Sequence, residues 1–245
     1  MFGLETIYYI FILLIIIQSI AGVGVLVIGT PALLLMNYDM IEILSILLPI
    51  SITTSLLNLL VFKFYLKQKN MRLDNKYLFS FFVYCIPSIF FGMIILSYFE
   101  HLIKFEYIVS AVIIFSVIVT NLKKILKKSG KSFKMVYLLI TGTVHGVTNS
   151  GGSLLSLLIS SEQDKNNSRF NISFFYFFLA SFQYLIFLNI FDKNFSQFNY
   201  TVIFVFLIFG VIIGNIISKF VKEKNFRILI NLLSLITCFF LITKS

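Results

Sequence analysis

The chain has 245 residues, of which 59% are hydrophobic and only 12% are charged, and its mean hydropathy is +0.98. This composition excludes a water-soluble fold, because soluble domains are about half apolar and about one quarter charged. The formal net charge is +10, but the basic residues form short clusters between long uncharged stretches. That distribution is typical of a multi-span membrane protein and argues against a nucleic-acid-binding protein.

Eight stretches contain no Asp, Glu, Lys or Arg, and each is a candidate membrane segment, since a spanning helix needs about 20 apolar residues. They are residues 6–38, 43–62, 77–99, 107–122, 135–161, 170–191, 194–218 and 228–243. All are continuously apolar and lack the alternation of lipid-facing β-strands. The sequence therefore predicts an all-α integral membrane protein with about eight segments.

The basic residues indicate how these segments cross the membrane. Fifteen of the 20 Lys and Arg residues fall within residues 63–76, 123–134 and 219–227. The positive-inside rule places all three clusters in the cytoplasm. Two windows separate the first cluster from the second, but three separate the second from the third. One of those three windows is therefore expected not to span.

Windows 6–38 and 135–161 are the two that are interrupted. The interruptions are Gly22, Gly24, Gly29 and Pro31 in the first, and Gly142, Gly146, Gly151 and Gly152 in the second. We expect each window to be a broken or re-entrant pair of half-helices followed by three spans, which inverts the second repeat relative to the first. The predicted organisation is a first repeat at 1–122, a basic cytoplasmic linker at 123–134 and a second repeat at 135–245.

The interruption in the second half carries the larger set of hydrogen-bonding groups. His145, Asn149, Ser150 and Ser153 accompany the glycine pair Gly151 and Gly152. Glycine permits close backbone approach, and the N–H groups that open the next half-helix carry a partial positive charge. The alternative is a packing face made by small residues, with hydroxyls bonded back to the backbone. We favour a binding site over packing alone.

The counterpart in the first half is Gly22 and Gly24 followed by Thr30 and Pro31. Pro31 fits the first turn of a helix. Thr30 would then lie near the N-cap of that helix, where its hydroxyl can serve the backbone or a ligand. A simple helix kink is the alternative.

His145 is the one ionisable side chain that lies deep within a window, and intramembrane ionisable residues are candidates for function. A neutral packing histidine is the alternative; if a proton is coupled, His145 is its natural carrier. With no Lys or Arg deep in a window, an anion would be held by helix N-termini, amides and hydroxyls. Asn58, Gln183 and Asn215 are expected to bond neighbouring helices. No metal-ligand spacing, phosphate loop or nucleophile triad appears, so no metal, cofactor or catalytic residue is expected.

Three segments carry a resemblance to a known family. They are Gly29-Thr30-Pro31-Ala32-Leu33-Leu34, the helix from Pro49 to Asn58, and His145-Gly146-x-x-Asn149-Ser150-Gly151-Gly152-Ser153-Leu154-Leu155. Over nearly the whole chain, this pattern resembles the TauE/SafE family of membrane permeases, often called sulfite or sulfonate exporters. It departs from the usual form by having fewer glycines in the first segment and no proline after Gly151-Gly152. The resemblance implies eight segments in two repeats, Gly-rich segments meeting near mid-membrane, and transport of small anions.

The resulting hypothesis is a multi-pass permease of the bacterial inner membrane that moves a small sulfur-containing or organic anion by alternating access. The expected solute-binding residues are Gly22, Gly24, Thr30, Pro31, His145, Asn149, Ser150, Gly151, Gly152 and Ser153. The expected partners are the anion and the lipid bilayer; self-association is left open. The alternative is a membrane enzyme or accessory protein acting on lipid-linked substrates, for which the loop carboxylates are sparse.

Overall fold

The computed structural model describes residues 4–65, 73, 75–102, 104–121, 131–191 and 200–222, with single residues 232, 235, 239, 242 and 243. Ten α-helices lie within residues 4–222 of this part. They are α1 (Leu4–Ala21), α2 (Val25–Leu35), α3 (Met40–Leu60), α4 (Asn75–Ser80), α5 (Ile86–Phe99), α6 (Phe105–Asn121), α7 (Lys131–Thr148), α8 (Gly152–Glu162), α9 (Lys165–Ile190) and α10 (Tyr200–Phe220). Short π-helical turns extend α3 over Val61–Tyr65 and join α4 to α5 over Phe81–Cys85.

Four helical stretches in the described ranges are long and apolar enough to cross a bilayer. They are Met40–Lys63, Leu78–Phe99, Lys165–Ile190 and Thr201–Phe220, and shorter apolar helices cover Ile7–Ala21, Val25–Leu35 and Phe105–Phe115. Large apolar side chains face outward, among them Phe91 on α5 and Phe209 on α10, as expected where lipid replaces water. The predicted all-α membrane class is confirmed. Most of the final window and of the three basic clusters lies outside the described residues.

The first interrupted window is a helical hairpin. Gly22 adopts a left-handed backbone conformation with φ of 80°, which glycine reaches without steric cost. A Cβ added to Gly24 would lie 2.8 Å from the Gln18 backbone nitrogen, and one added to Gly29 would lie 3.0 Å from Leu14 Cδ1. Residues later in α2 therefore meet residues earlier in α1, so α2 runs back along α1.

The second interrupted window has the same form. Asn149 has φ of 60°, a conformation that asparagine adopts more readily than most residues. Gly151 packs against the Thr141 carbonyl and the His145 backbone, and the Tyr137 hydroxyl donates a 2.8 Å hydrogen bond to the Leu154 carbonyl. The chain therefore reverses direction at residues 149–151, and α8 runs back along α7.

The expected break at Gly22 and Gly24 is found, but the expected start of the returning half-helix, with Thr30 near its N-cap and Pro31 in its first turn, was wrong. The break lies at residues 22–24, and α2 begins at Val25, so Thr30 and Pro31 lie inside α2 instead of at its start. The conformation of Gly22 decides the turn, whereas Pro31 is tolerated within the helix. Gly29 serves packing, because a Cβ there would lie 2.9 Å from Leu47 Cδ1.

Helices from one half of the chain pack against helices from the other. α10 packs on α1, α5 packs on α7, and α9 packs on α3. Gly92 and Gly146 meet so closely that a Cβ on either would reach the facing backbone. Gly142 likewise faces the Cys85 carbonyl. For Gly142 and Gly146, the small-residue packing alternative is therefore confirmed.

Candidate functional site

Helix α9 passes both breaks on successive turns. A Cβ added to Gly22 would lie 2.9 Å from Ile172 Cγ2, and one added to Gly152 would overlap the Tyr176 hydroxyl. Ile172 and Tyr176 are four residues apart, so they lie on one face of α9 about 6 Å apart along its axis. The two breaks are therefore held close to each other by one helix.

A side-chain hydrogen bond joins the two hairpins directly. Asn149 Nδ2 donates to Thr30 Oγ1 at 3.2 Å, between residues 119 positions apart in the chain. Both side chains are 0% exposed. The structure thus brings together the two predicted site residues that carry an amide and a hydroxyl in opposite halves.

The serines at the second break bond locally. Ser150 Oγ donates to the Thr148 carbonyl at 3.2 Å, and Ser153 Oγ donates to the Ser150 carbonyl at 2.9 Å. The N–H groups of Ser153 and Leu154 also bond to Ser150 and Gly151 carbonyls. These groups therefore stabilise the turn into α8, as in the packing alternative.

Other polar atoms around this break have no hydrogen-bond partner in the described part of the protein. They are both ring nitrogens of His145, Asn149 Oδ1, the Tyr176 hydroxyl and Gln183 Oε1, all of them buried. Gln183 is tied to the hairpin because its Nε2 donates to the His145 carbonyl at 3.1 Å. Buried polar atoms are normally paired, so this cluster has the chemistry to bind a small polar solute.

The first break is closed by a residue that sequence reasoning did not identify. The Val25 N–H donates to Gln18 Oε1 at 3.1 Å, while Gln18 Nε2 donates to the Ser51 carbonyl at 3.2 Å and to Ser55 Oγ at 3.0 Å. Gln18 therefore satisfies the start of α2 and fastens it to α3. The sequence feature that could have identified Gln18 is its amide side chain, four residues before Gly22 in an otherwise apolar run.

The remaining predicted site residues contribute backbone or packing. Gly24 lies against Gln18, and Pro31 is buried within α2. Among the ten predicted site residues only Ser153 is partly exposed. Thr30 and Asn149 are therefore closed off from the protein surface in this conformation.

The family model described as Sulfite exporter TauE/SafE matches residues 7–241. The chain belongs to the TauE/SafE family. No match was found among curated proteins or among solved structures. Together with its apolar helices, membership makes the chain a multi-pass membrane transporter, because TauE/SafE is a family of exporters.

Arg169 of this TauE/SafE member lies just outside the charge-free window 170–191, yet the structure buries it. Arg169 is 6% exposed. Its Nη2 donates to the Ser19 carbonyl at 2.5 Å and to Asn215 Oδ1 at 3.0 Å, and its guanidinium lies 5.0 Å from the centre of the Phe62 ring. Each window was defined as a stretch between charged residues, so Arg169 fell at the boundary of window 170–191. Helix α9 begins four residues earlier than Arg169, at Lys165.

The expected roles of three buried amides are confirmed in this TauE/SafE member. Asn215 Nδ2 donates to Asn58 Oδ1 at 2.8 Å, which joins α10 to α3. Gln183 joins α9 to the second hairpin through the His145 carbonyl. Within the residues that the structure covers, no group of three or more His, Cys, Asp or Glu side chains could hold a metal ion.

Proposed function

We propose that this protein is a permease that moves a small anionic solute across the bacterial inner membrane by alternating access. The observation that carries the proposal is the hydrogen bond between Thr30 and Asn149, which joins two broken helices at a fully buried position. Broken backbone at membrane depth is tolerated where it is buried in protein or lines a path for solute. The solute class, sulfur-containing or organic anions, follows from the family description and not from a bound ligand.

The correspondence between the two halves supports an inverted-repeat arrangement. Each hairpin turns through three residues, 22–24 or 149–151, and each returning helix has 11 residues. The next helix in each half begins after an aspartate N-cap, Asp39 or Asp164. We therefore propose residues 1–122 and 135–245 as the two repeats, joined by the basic linker 123–134.

Opening of the site requires the two hairpins to separate. Since Thr30 and Asn149 are inaccessible in this conformation, one repeat must move against the other before a solute can enter. A single neutral hydrogen bond contributes about 1 kcal/mol, so the Thr30–Asn149 bond can be exchanged for bonds to the solute. In the proposed mechanism, this exchange couples solute binding to the motion.

The buried polar atoms define how the solute would be held. The Thr30 and Tyr176 hydroxyls, the Asn149 amide and a protonated ring nitrogen of His145 are all hydrogen-bond donors. A small oxyanion offers several acceptor oxygens that match this set. Gly151 and Gly152 would form the floor of the site, because side chains there would meet Thr141 and Tyr176.

The test is transport by purified protein in liposomes loaded in turn with sulfite, sulfate, thiosulfate, taurine or a short carboxylate. Asn149→Ala and Thr30→Val should each reduce transport of the active solute at least tenfold, because both remove donors at the site. Asn189→Ala and Thr53→Val are matched controls, since these side chains bond only to carbonyls of their own helix. Absence of transport of every solute by wild type would overturn the permease, and wild-type rates in Asn149→Ala would remove Asn149 from the site.

His145 has a separate test because its role in proton coupling stays a prediction. His145→Ala and wild-type protein are compared across pH under the same solute gradient. A proton carrier at this position makes the wild-type rate pH-dependent and the variant rate flat. Unchanged transport and an unchanged pH profile would remove that role and leave the permease proposal in place.

A further inference from the structure

Arg169 is a buried cation without a carboxylate partner in the described part of the chain. Its bonds are made to neutral oxygens, the Ser19 carbonyl and Asn215 Oδ1, and its guanidinium also lies beside the Phe62 ring. Burying an ionised group is costly unless it is paired. A positive charge fixed among neutral groups is therefore suited to receive a negative ligand.

Three hydrogen-bond donors in the same network have no partner among the described residues. They are Arg169 Nε, Asn58 Nδ2 and Ser19 Oγ. The network is continuous, because Arg169 bonds to Asn215 and Asn215 bonds to Asn58 Oδ1. Ser19 and Asn58 are each 1% exposed. The unpartnered atoms are thus all hydrogen-bond donors, and the residues of the network lie on four packed helices.

This cluster lies beside the first break. A Cβ added to Gly22 would lie 3.5 Å from the Arg169 carbonyl, and Ser19 is three residues before Gly22. Its donors are separate from those of Thr30 and Asn149. The first hairpin is therefore flanked by two polar sets, one neutral and one positively charged.

We propose that Arg169, Ser19 and Asn58 form a buried binding site for a small free oxyanion. The planar guanidinium and the amide and hydroxyl donors match oxygen acceptors spread over one central atom. The inference rests on the proposed function in one respect, since it assigns this site to the transported anion. Binding itself is measurable without transport.

The main test is Asn58→Asp, which keeps the oxygen that accepts from Asn215 and replaces an unpartnered NH₂ with a negative charge in the Arg169 network. The described hydrogen bond to Asn215 is kept, but the carboxylate offsets the charge of Arg169 and removes an anion-binding donor. Ser19→Ala is the second variant, because it removes a hydroxyl that makes no bond in the described structure. Asn189→Asp, on the exposed face of α9, is the control for added charge.

Binding is read from thermal unfolding in detergent, with a thiol-reactive dye in a Cys238→Ser background. Cys85 is then the only thiol in the sequence, and it is 0% exposed until the protein unfolds. Sulfate, which unlike sulfite does not react with the dye, should at ionic strength matched with chloride raise the midpoint of wild type and Asn189→Asp. Asn58→Asp should lose the shift, and Ser19→Ala should need about tenfold more anion.

Two outcomes overturn the site. One is an equal anion shift in wild type, Asn58→Asp and Ser19→Ala; the other is stabilisation by phosphatidylglycerol micelles alone, which would indicate a lipid headgroup. The transport variants give an independent result. If wild type transports none of the solutes while Asn58→Asp abolishes the anion shift, the proposed function fails and the oxyanion site stands. If wild type transports and Asn58→Asp binds normally, the reverse holds.

Discussion

Gln18 accepts a 3.1 Å hydrogen bond from the Val25 N–H, across the three residues that break the first membrane segment. The first N–H groups of a helix have no partner within that helix. In lipid, water cannot supply one. The Gln18 side chain, on α1, therefore caps the N-terminus of α2. Its amide nitrogen also donates hydrogen bonds to Ser51 and Ser55 of α3, which fastens the break to that helix.

Gln18→Leu should destabilise the protein because it leaves the buried Val25 N–H unpaired and removes the bonds to α3. We expect a loss of about 1–3 kcal/mol, the usual cost of an unsatisfied buried donor. Thermal unfolding in detergent measures it. Asn189→Leu is the control, as Asn189 bonds only within α9. A midpoint equal to that of the control would show that the cap does not stabilise the break.

Local chemistry made the second break predictable. Its glycines, Asn149 and serines are concentrated in one apolar window, and the structure turns at residues 149–151. In the first window Gly22 and Gly24 were identified, but the start of the returning half-helix was misplaced because Pro31 is the more obvious helix breaker. The left-handed conformation of Gly22 depends instead on its packing against Ile172 of α9, and such a contact has no local sequence signature.

Long-range pairing explains what sequence reasoning did not find. Gln18 bonds to residues 33 and 37 positions away, and Arg169 bonds to a carbonyl 150 positions away. Neither distance is readable from composition or periodicity. Thr30 and Asn149 were predicted to lie in one site only because each belongs to an interrupted window. The family resemblance implied that these two windows meet.

Gly146→Ala should be more damaging than Gly210→Ala, although both change a glycine at a helix contact. A Cβ on Gly146 would meet the Ile89 carbonyl and the Gly92 backbone, whereas one on Gly210 would lie 2.7 Å from the Ile15 side chain. Backbone cannot move aside as a side chain can, and overpacking costs about 1–3 kcal/mol. Unfolding midpoints of the two variants test the order; equal midpoints would contradict it.

Asp164 should make stability depend on pH at the start of α9. The hydrogen bond from the Asn167 N–H, with others from Asn166 and the Asn167 side chain, holds the pKa of Asp164 below its usual value. A lowered pKa in the folded state stabilises the protein above the unfolded-state pKa of about 3.9, and that contribution is lost as pH falls through the folded-state pKa.

Asp164→Ala should therefore cost about 1 kcal/mol near neutral pH. The difference from wild type should shrink below about pH 4, where the unfolded chain begins to bind the proton. Unfolding midpoints between pH 7 and pH 3 provide the measurement. Asp164→Asn keeps an N-cap acceptor that does not titrate, so its difference from Asp164→Ala should stay constant with pH. A constant difference between wild type and Asp164→Ala would contradict the assignment.

Gly152 and Tyr176 provide a test in which one substitution repairs another. Gly152→Ala places a methyl group where the Tyr176 hydroxyl lies, so the start of α8 must shift and we expect a loss of about 1–3 kcal/mol. Tyr176→Phe removes that hydroxyl, which has no partner in the described structure, and should alone change stability little. Thermal unfolding of the four proteins in the cycle gives the coupling between the two positions.

The double variant should regain part of the stability lost in Gly152→Ala, because Tyr176→Phe removes the overlapping hydroxyl, whereas the ring carbon Cζ still meets the added Cβ and has to shift. Gly210→Ala combined with Tyr176→Phe is the control pair, since Gly210 contacts α1 and no coupling is expected between separate contacts. Additive losses in the Gly152 cycle would mean that α8 does not lie against α9 at this position. Transport by Tyr176→Phe alone adds a functional readout: lost transport with unchanged stability would indicate that the Tyr176 hydroxyl itself serves the solute.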